Sequence, residues 1–137
     1  MKLDYDCIRE VLLITERDLC VKDENGTIVF DTLMLDHYAE EIPDYYRENI
    51  CYTILKLCEA DYLEASISPG DGGIYSCIVT GMTFAGHDFL NKIRDPQHWS
   101  KVKSMIPVIK DYSIFAIKTV AEAITTAAIQ RLIMPGQ

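Results

Sequence analysis

The chain has 137 residues, of which 49% are apolar and 25% charged. This suits one ordinary soluble domain, with room for an appended helix, and excludes collagen-like, disordered and purely coiled-coil chains. Thirteen basic and 21 acidic side chains give a net charge of −8, and the acidic excess lies in the first 64 residues. Because non-specific nucleic-acid binding needs many Lys and Arg contacts to phosphate, this balance counts against a general nucleic-acid binder.

The cysteines match neither a disulfide framework nor a zinc signature. Their number is odd, their spacing is irregular, and there is no Cys-x-x-Cys. We therefore expect buried, free thiols in a reducing compartment. Residues 1–6 are too acidic for a secretory signal, and charged residues interrupt the most apolar stretch, Tyr112–Met134. These features predict a cytoplasmic protein without a membrane span.

The first predicted elements are a helix and short strands. Residues Asp4–Arg17 place apolar side chains at helical spacing, and an aspartate at position 4 or 6 can cap this helix. Asn25-Gly26 tolerates the positive φ of a tight turn, so the β-branched segment Thr27–Phe30 is predicted as a strand. Residues Leu19–Lys22 are its predicted hairpin partner.

Two helices are predicted next. Leu35–Glu41 forms a short helix that Pro43 ends, and Asp44–Ala60 forms a longer one with Asp44 as its N-cap. Asp61 falls where a helix commonly ends in left-handed conformation. The inner stripe of the longer helix consists of Ile50, Ile54, Leu57 and Cys58.

A hairpin and three more helices complete the pattern. Residues Tyr62–Ser68 and Ile74–Thr80 are strand-like and flank a five-residue tip of turn residues. Thr83 caps a helix that reaches Arg94, and a short helix at 97–105 follows the Asp95-Pro96 break. The last helix is predicted over 111–134, and Trp99 is expected to be a core residue.

The order of these elements is that of a winged helix. The short helix and the Asp44–Ala60 helix would form the helix-turn-helix pair, the Tyr62–Thr80 hairpin the wing, and Thr27–Phe30 its third strand. We therefore predict an α+β winged-helix domain over residues 1–95 and a C-terminal helical extension over residues 96–137.

Several segments resemble a small bacterial and phage family known as a domain of unknown function. The resemblance lies in their order and spacing over nearly the whole chain: Met1–Asp6, Ile54–Ala65, Thr83–Leu90, Ile93–Asp95 and Trp99–Lys103. It implies a winged-helix-like fold, frequent occurrence in prophages and no established activity. The sequence departs from the family by Asp61, where winged helices usually have Gly, and by Thr53, where members often have His.

The predicted recognition helix offers a mixed surface. Winged helices read DNA with this helix and the wing, through basic residues. Here acidic residues offset the two basic ones, and the predicted wing carries no Lys or Arg. We therefore favour a protein-interaction or regulatory module, with sequence-specific DNA binding as the alternative. The candidate interaction surface consists of Tyr45, Tyr46, Arg47, Asn49, Tyr52 and Lys56.

A candidate basic cluster lies after the wing, formed by Lys92, Arg94, Lys101 and Lys103. The sequence predicts no enzyme, cofactor, metal or small-molecule site. The three histidines share no helical i, i+4 spacing with one another or with a cysteine, and no calcium or phosphate loop is present.

The last predicted helix has apolar residues over more than one face. Small residues within it would permit close approach of another helix, and a two-fold partner would cover its second apolar strip. We therefore predict a homodimer through this helix. The candidate dimer residues are Phe115, Ile124, Ala128, Ile129, Leu132 and Ile133.

Overall fold

The computed structural model describes residues 1–133, with Tyr75 by its backbone alone. Within them the protein has the predicted α+β class, with six helices and two small antiparallel sheets. The chain divides into two compact units, Met1–His87 and Asp88–Gln137. Met134, the predicted end of the last helix, lies outside the described residues. The predicted domain boundary at residue 95 stays a prediction.

Helix α1 spans Tyr5–Asp18 and begins as predicted. The Asp4 side chain accepts a hydrogen bond of 3.0 Å from the Cys7 backbone N–H, which satisfies a donor that the first helical turn leaves open. The five apolar residues predicted to face inward are all buried. These residues are Cys7, Ile8, Val11, Leu12 and Ile14.

The two sheets correct one predicted strand pairing. Strands β1 (Val21–Glu24) and β2 (Thr27–Phe30) pair only with each other, so β2 is not the third strand of the wing. The tight turn explains this, because Asn25 and Gly26 both have positive φ and hold the two strands together locally. The third strand is instead β3 (Leu33–Met34).

The second sheet has the order β3–β5–β4, with β4 over Leu63–Gly70 and β5 over Gly73–Met82. The predicted five-residue tip is wrong, because the strands continue to a two-residue turn at Asp71-Gly72. Gly72 takes the positive φ of 78° that this turn requires. Pro69 is accommodated next to a register shift on the edge strand, where no ladder N–H is lost.

Helices α2 (Leu35–Glu41) and α3 (Arg47–Glu59) pack against each other. The predicted N-cap is wrong, because α3 begins three residues after Asp44, with Tyr46 at the N-cap position. The reason is a turn before the helix, in which the Tyr45 N–H bonds the Ile42 carbonyl at 3.1 Å. At the other end Asp61 has the predicted left-handed φ, 64°.

The core of the first unit joins α1, α3 and the second sheet. Ile8, Ile54, Leu57 and Val79 are fully buried. Cys58, predicted to lie in the inner stripe, is only half-buried because its helical position turns it to the edge of that stripe. The cysteines are free but only two are buried, Cys7 and Cys77, which corrects the expectation for the other three.

Helix α4 spans Phe84–Ile93, and Thr83 caps it as predicted, accepting a bond of 2.9 Å from the Gly86 N–H. Helix α5 covers Pro96–Ile109, longer than predicted, because Pro107 lies in its last turn and removes one hydrogen bond there without ending it. Helix α6 covers Ile114–Ile133 and packs on α5. Trp99 is buried as expected. No helix of residues 1–133 is long and apolar enough to cross a membrane.

Candidate interaction surfaces

Both basic side chains on α3 are paired with carboxylates of the same unit. The Arg47 guanidinium binds the Asp36 carboxylate at the start of α2. The Lys56 ammonium lies 3.0 Å from the Glu59 carboxylate and 5.3 Å from the centre of the Tyr52 ring. Carboxylates of the same unit therefore largely neutralise the positive charges of Arg47 and Lys56.

The other members of the predicted interaction surface differ in their exposure to solvent. Tyr46 is 75% exposed, whereas Tyr45 is half-buried. Burial, together with the negative charges of Asp4 and Asp6, raises the pKa of Tyr45 to about 12. Asn49 is half-buried, and its backbone carbonyl accepts a hydrogen bond of 2.7 Å from the hydroxyl of the buried Thr53. Tyr45 and Asn49 are therefore less accessible to a partner than Tyr46 is.

The β4–β5 hairpin contributes no cation, since residues 62–82 contain no Lys or Arg. Its tip carries Asp71. A surface formed by α3 and this hairpin is therefore neutral to acidic and offers little to a phosphate backbone.

A sulfur-lined groove lies between α3 and β5. It has a volume of about 200 Å³. Cys77, which is 5% exposed, and the half-buried Cys51 both line this groove, together with Met34. Sequence analysis missed this pair because 26 residues separate the cysteines, and only the packing of α3 on the sheet joins them.

Asp18, His37 and Glu41 place three potential metal donors within 4.8 Å of one another. However, the Arg17 guanidinium bonds Asp18 at 2.7 Å and Glu41 at 2.9 Å. It thereby supplies the positive charge that a metal would supply. The His37 ring adds a bond of 2.8 Å to Asp18, so this cluster ties α1 to α2.

The basic residues of the candidate cluster in the second unit each make a different contact. Lys92 lies 2.5 Å from Asp88, and Arg94 bonds Asn91 at 2.9 Å. The Lys103 ammonium lies 5.7 Å from the centre of the Trp99 ring.

Lys101 instead lines a groove of about 130 Å³ between α5 and α6. The other basic side chains there are His98 and Arg131. No carboxylate of the described residues lines this groove.

Helix α6 exposes several large apolar side chains, which we call the α6 apolar surface. The exposed fractions are 72% for Phe115, 49% for Ile129, 81% for Leu132 and 72% for Ile133. Ile124 and Ala128, also predicted for the dimer, are half-buried and line the groove with α5.

Sequence analysis missed a second exposed apolar surface, on the β1–β2 hairpin. Val21, Ile28 and Phe30 lie on one side of this two-stranded sheet, and each is more than half exposed. The apolar run Ile28-Val29-Phe30 in β2 is the signal that could have indicated it, because successive residues of a strand point to opposite faces.

Comparisons with known proteins place the chain in a family. Its residues 2–111 match the model of the family described as "Hypothetical protein (DUF2513)". It is also 30% identical, over 125 residues, to an uncharacterized protein of Haemophilus influenzae, which covers 90% of this chain and 95% of that protein. No solved structure matches. The family model covers nearly all of the first unit and about half of the second, and the chain belongs to the DUF2513 family.

Proposed function

We propose that the first unit is a winged-helix variant. Support comes from the order α1, β3, α2, α3, β4, β5 and from the sheet order β3–β5–β4. In this assignment α2 and α3 form the helix-turn-helix pair, β4–β5 is the wing, and the β1–β2 hairpin is an insertion after α1.

We propose further that the protein is a protein-interaction module that self-associates through the α6 apolar surface. The observation that carries this proposal is the exposure of four large apolar side chains on one 20-residue helix. Monomeric proteins rarely leave a large contiguous apolar patch in water, and a two-fold partner would cover it.

DNA recognition, the alternative function, has less support. A recognition helix normally presents free basic side chains to the major groove. On α3 the basic residues Arg47 and Lys56 are each paired with a carboxylate. A protein partner does not require a surplus of positive charge and fits this surface better.

Sedimentation analysis of the full chain tests the proposal. We expect a dimer near 100 µM that Ile129→Glu converts to a monomer. Ile28→Glu is the matched control, because Ile28 is similarly exposed, at 55%, but lies on the β1–β2 hairpin. A monomeric wild type, or a dimer that survives Ile129→Glu, would overturn self-association through α6.

A parallel binding measurement with duplex DNA tests the alternative. We expect no binding even at low salt. Binding that weakens steeply with added salt, and that is lost in Arg47→Gln but not in Lys110→Gln, would instead favour DNA recognition by α3.

A further inference from the structure

The sulfur-lined groove brings together three sulfur-bearing side chains from α3, β5 and β3. Cys51 comes from α3 and Cys77 from β5, and both side chains line this groove. Met34, on β3, is 57% exposed and lines the same groove. Because the groove is open to solvent and Cys51 is half-buried, a small ion can reach the two thiols.

Two thiols and a thioether are soft donors. Thiolate and thioether ligands select monovalent copper and related soft cations, whereas structural zinc takes four donors in a tetrahedral arrangement. The carboxylate that lines this groove belongs to Asp36, and the Arg47 guanidinium holds it. The two thiols and the thioether are therefore too few for a four-coordinate zinc site, but they suffice for a cation that accepts two or three sulfur ligands.

Both thiols must lose a proton when the cation binds. Burial raises the pKa of the Cys77 thiol to about 11, and the neighbouring Cys51 and Cys58 add to this effect. Burial also raises the pKa of Cys51. Both thiols are thus protonated near neutral pH, and a bound metal ion would have to displace both protons. Two thiolates and one monovalent cation would leave one net negative charge, since the Arg47 guanidinium at the groove wall is already paired with the Asp36 carboxylate.

We propose that Cys51 and Cys77, assisted by Met34, form a binding site for a monovalent soft cation of the Cu(I) or Ag(I) type. Each thiol gives its proton to water as its sulfur binds the cation, and the oxidation states of sulfur and metal do not change. The site lies in the first unit, and the proposal does not depend on self-association through α6.

The experiment is an anaerobic titration of the fully reduced full chain with Cu(I), in competition with a chromophoric Cu(I) chelator. We expect one tightly bound Cu(I) per chain and the release of about two protons, counted by calorimetry in buffers of different ionisation enthalpy. Cys51→Ser should weaken binding by more than the roughly 10–100-fold that outer-shell changes cost. Met34→Leu should weaken it by about tenfold.

A cysteine outside the groove provides the control variant. Cys20→Ser removes an exposed thiol outside the groove and should leave affinity and proton release unchanged. Cys77→Ser alters a buried side chain and can unfold the protein. The decisive measurements are therefore the Cu(I) affinity of Cys51→Ser and the number of protons that the wild type releases on binding Cu(I). Unchanged affinity in Cys51→Ser, or release of fewer than two protons, would refute the site.

Two further results would also overturn the proposal. Tighter binding of Zn²⁺ at the same residues would show that the cation class is wrong. A thiol count that falls by two after the metal is removed would show that Cys51 and Cys77 form a disulfide and are a redox pair.

Discussion

The two units differ in charge, and their helices α1 and α6 differ in how completely they bury apolar residues. Residues 1–87 carry seventeen acidic and six basic side chains, a net of −11, whereas residues 88–137 carry four acidic and seven basic side chains, a net of +3. In α1 the five apolar residues predicted to face inward are all buried. Most residues of α6 are apolar. Among the described residues of this helix, the buried ones are Ala116, Ile117 and Ala121.

This difference follows from the patterns of the two helices. Apolar residues of α1 form one stripe, so packing within the unit covers them. Those of α6 lie on more than one side, and a helix of this kind is normally covered on more than one side. The apolar residues of α1 are therefore covered within the first unit, whereas α6 keeps large apolar side chains exposed.

The largest expected effect comes from the same substitution made in each unit. Leu57 is fully buried and Leu132 is 81% exposed. Leu57→Ala should lower the free energy of unfolding by about 2–5 kcal/mol, because it leaves a cavity in a packed core. Leu132→Ala should change it by less than about 0.5 kcal/mol when denaturation is measured on dilute, monomeric protein. Equal losses would mean that α6 is covered within its own chain.

A steric test of the first unit should give the next largest effect. A Cβ added at Gly86 would lie 2.2 Å from the Tyr62 carbonyl oxygen, a backbone atom that cannot move aside cheaply. Gly86→Ala should therefore cost about 1–3 kcal/mol, although alanine favours helix more than glycine does. Gly73→Ala is the control, since open space surrounds that position, and denaturation should show a change within about 0.5 kcal/mol.

Local signals predicted most helices but not the pairing of strands. The cap at Asp4, the cap at Thr83 and the left-handed Asp61 depend on a few neighbouring residues, and the structure confirms all three. Strand β3 has only two residues and no periodicity to detect. Its pairing with β5 joins positions more than 40 residues apart, so tertiary packing decides it.

For the candidate surfaces, the sequence predicts which residue types are present but not which partners the fold gives them. The sequence indicates Arg47 and Lys56 as basic residues of one helix, but their carboxylate partners determine whether those charges are free. The groove shared by Cys51 and Cys77 likewise has no local signal, because one residue lies on a helix and the other on a strand.

The ion cluster of the first unit should give stability a dependence on acid pH. The Arg17 guanidinium, and then His37, hold the pKa of Asp18 well below its usual value. A lowered folded-state pKa means that the stabilisation is present above about pH 4 and is lost as pH falls further. Asp18→Asn should therefore cost about 1 kcal/mol at pH 7 and progressively less below pH 4 in urea titrations. An Arg17→Gln background should reduce this cost, and an unchanged cost would contradict the pairing.

The smallest expected effect distinguishes two lysines of the second unit. The Lys92 ammonium lies 2.5 Å from Asp88 and 3.6 Å from Glu122, whereas Lys101 lines a groove without a carboxylate among the described residues. Lys92→Gln should cost about 0.2–1 kcal/mol and Lys101→Gln nothing measurable, by denaturation at low ionic strength. Because about 1 M salt shortens the Debye length to about 3 Å, the cost at Lys92 should shrink there. A loss at Lys101 as large as that at Lys92 would mean that Lys101 also has an intramolecular carboxylate partner, and the contrast between paired and unpaired cations in this unit would fail.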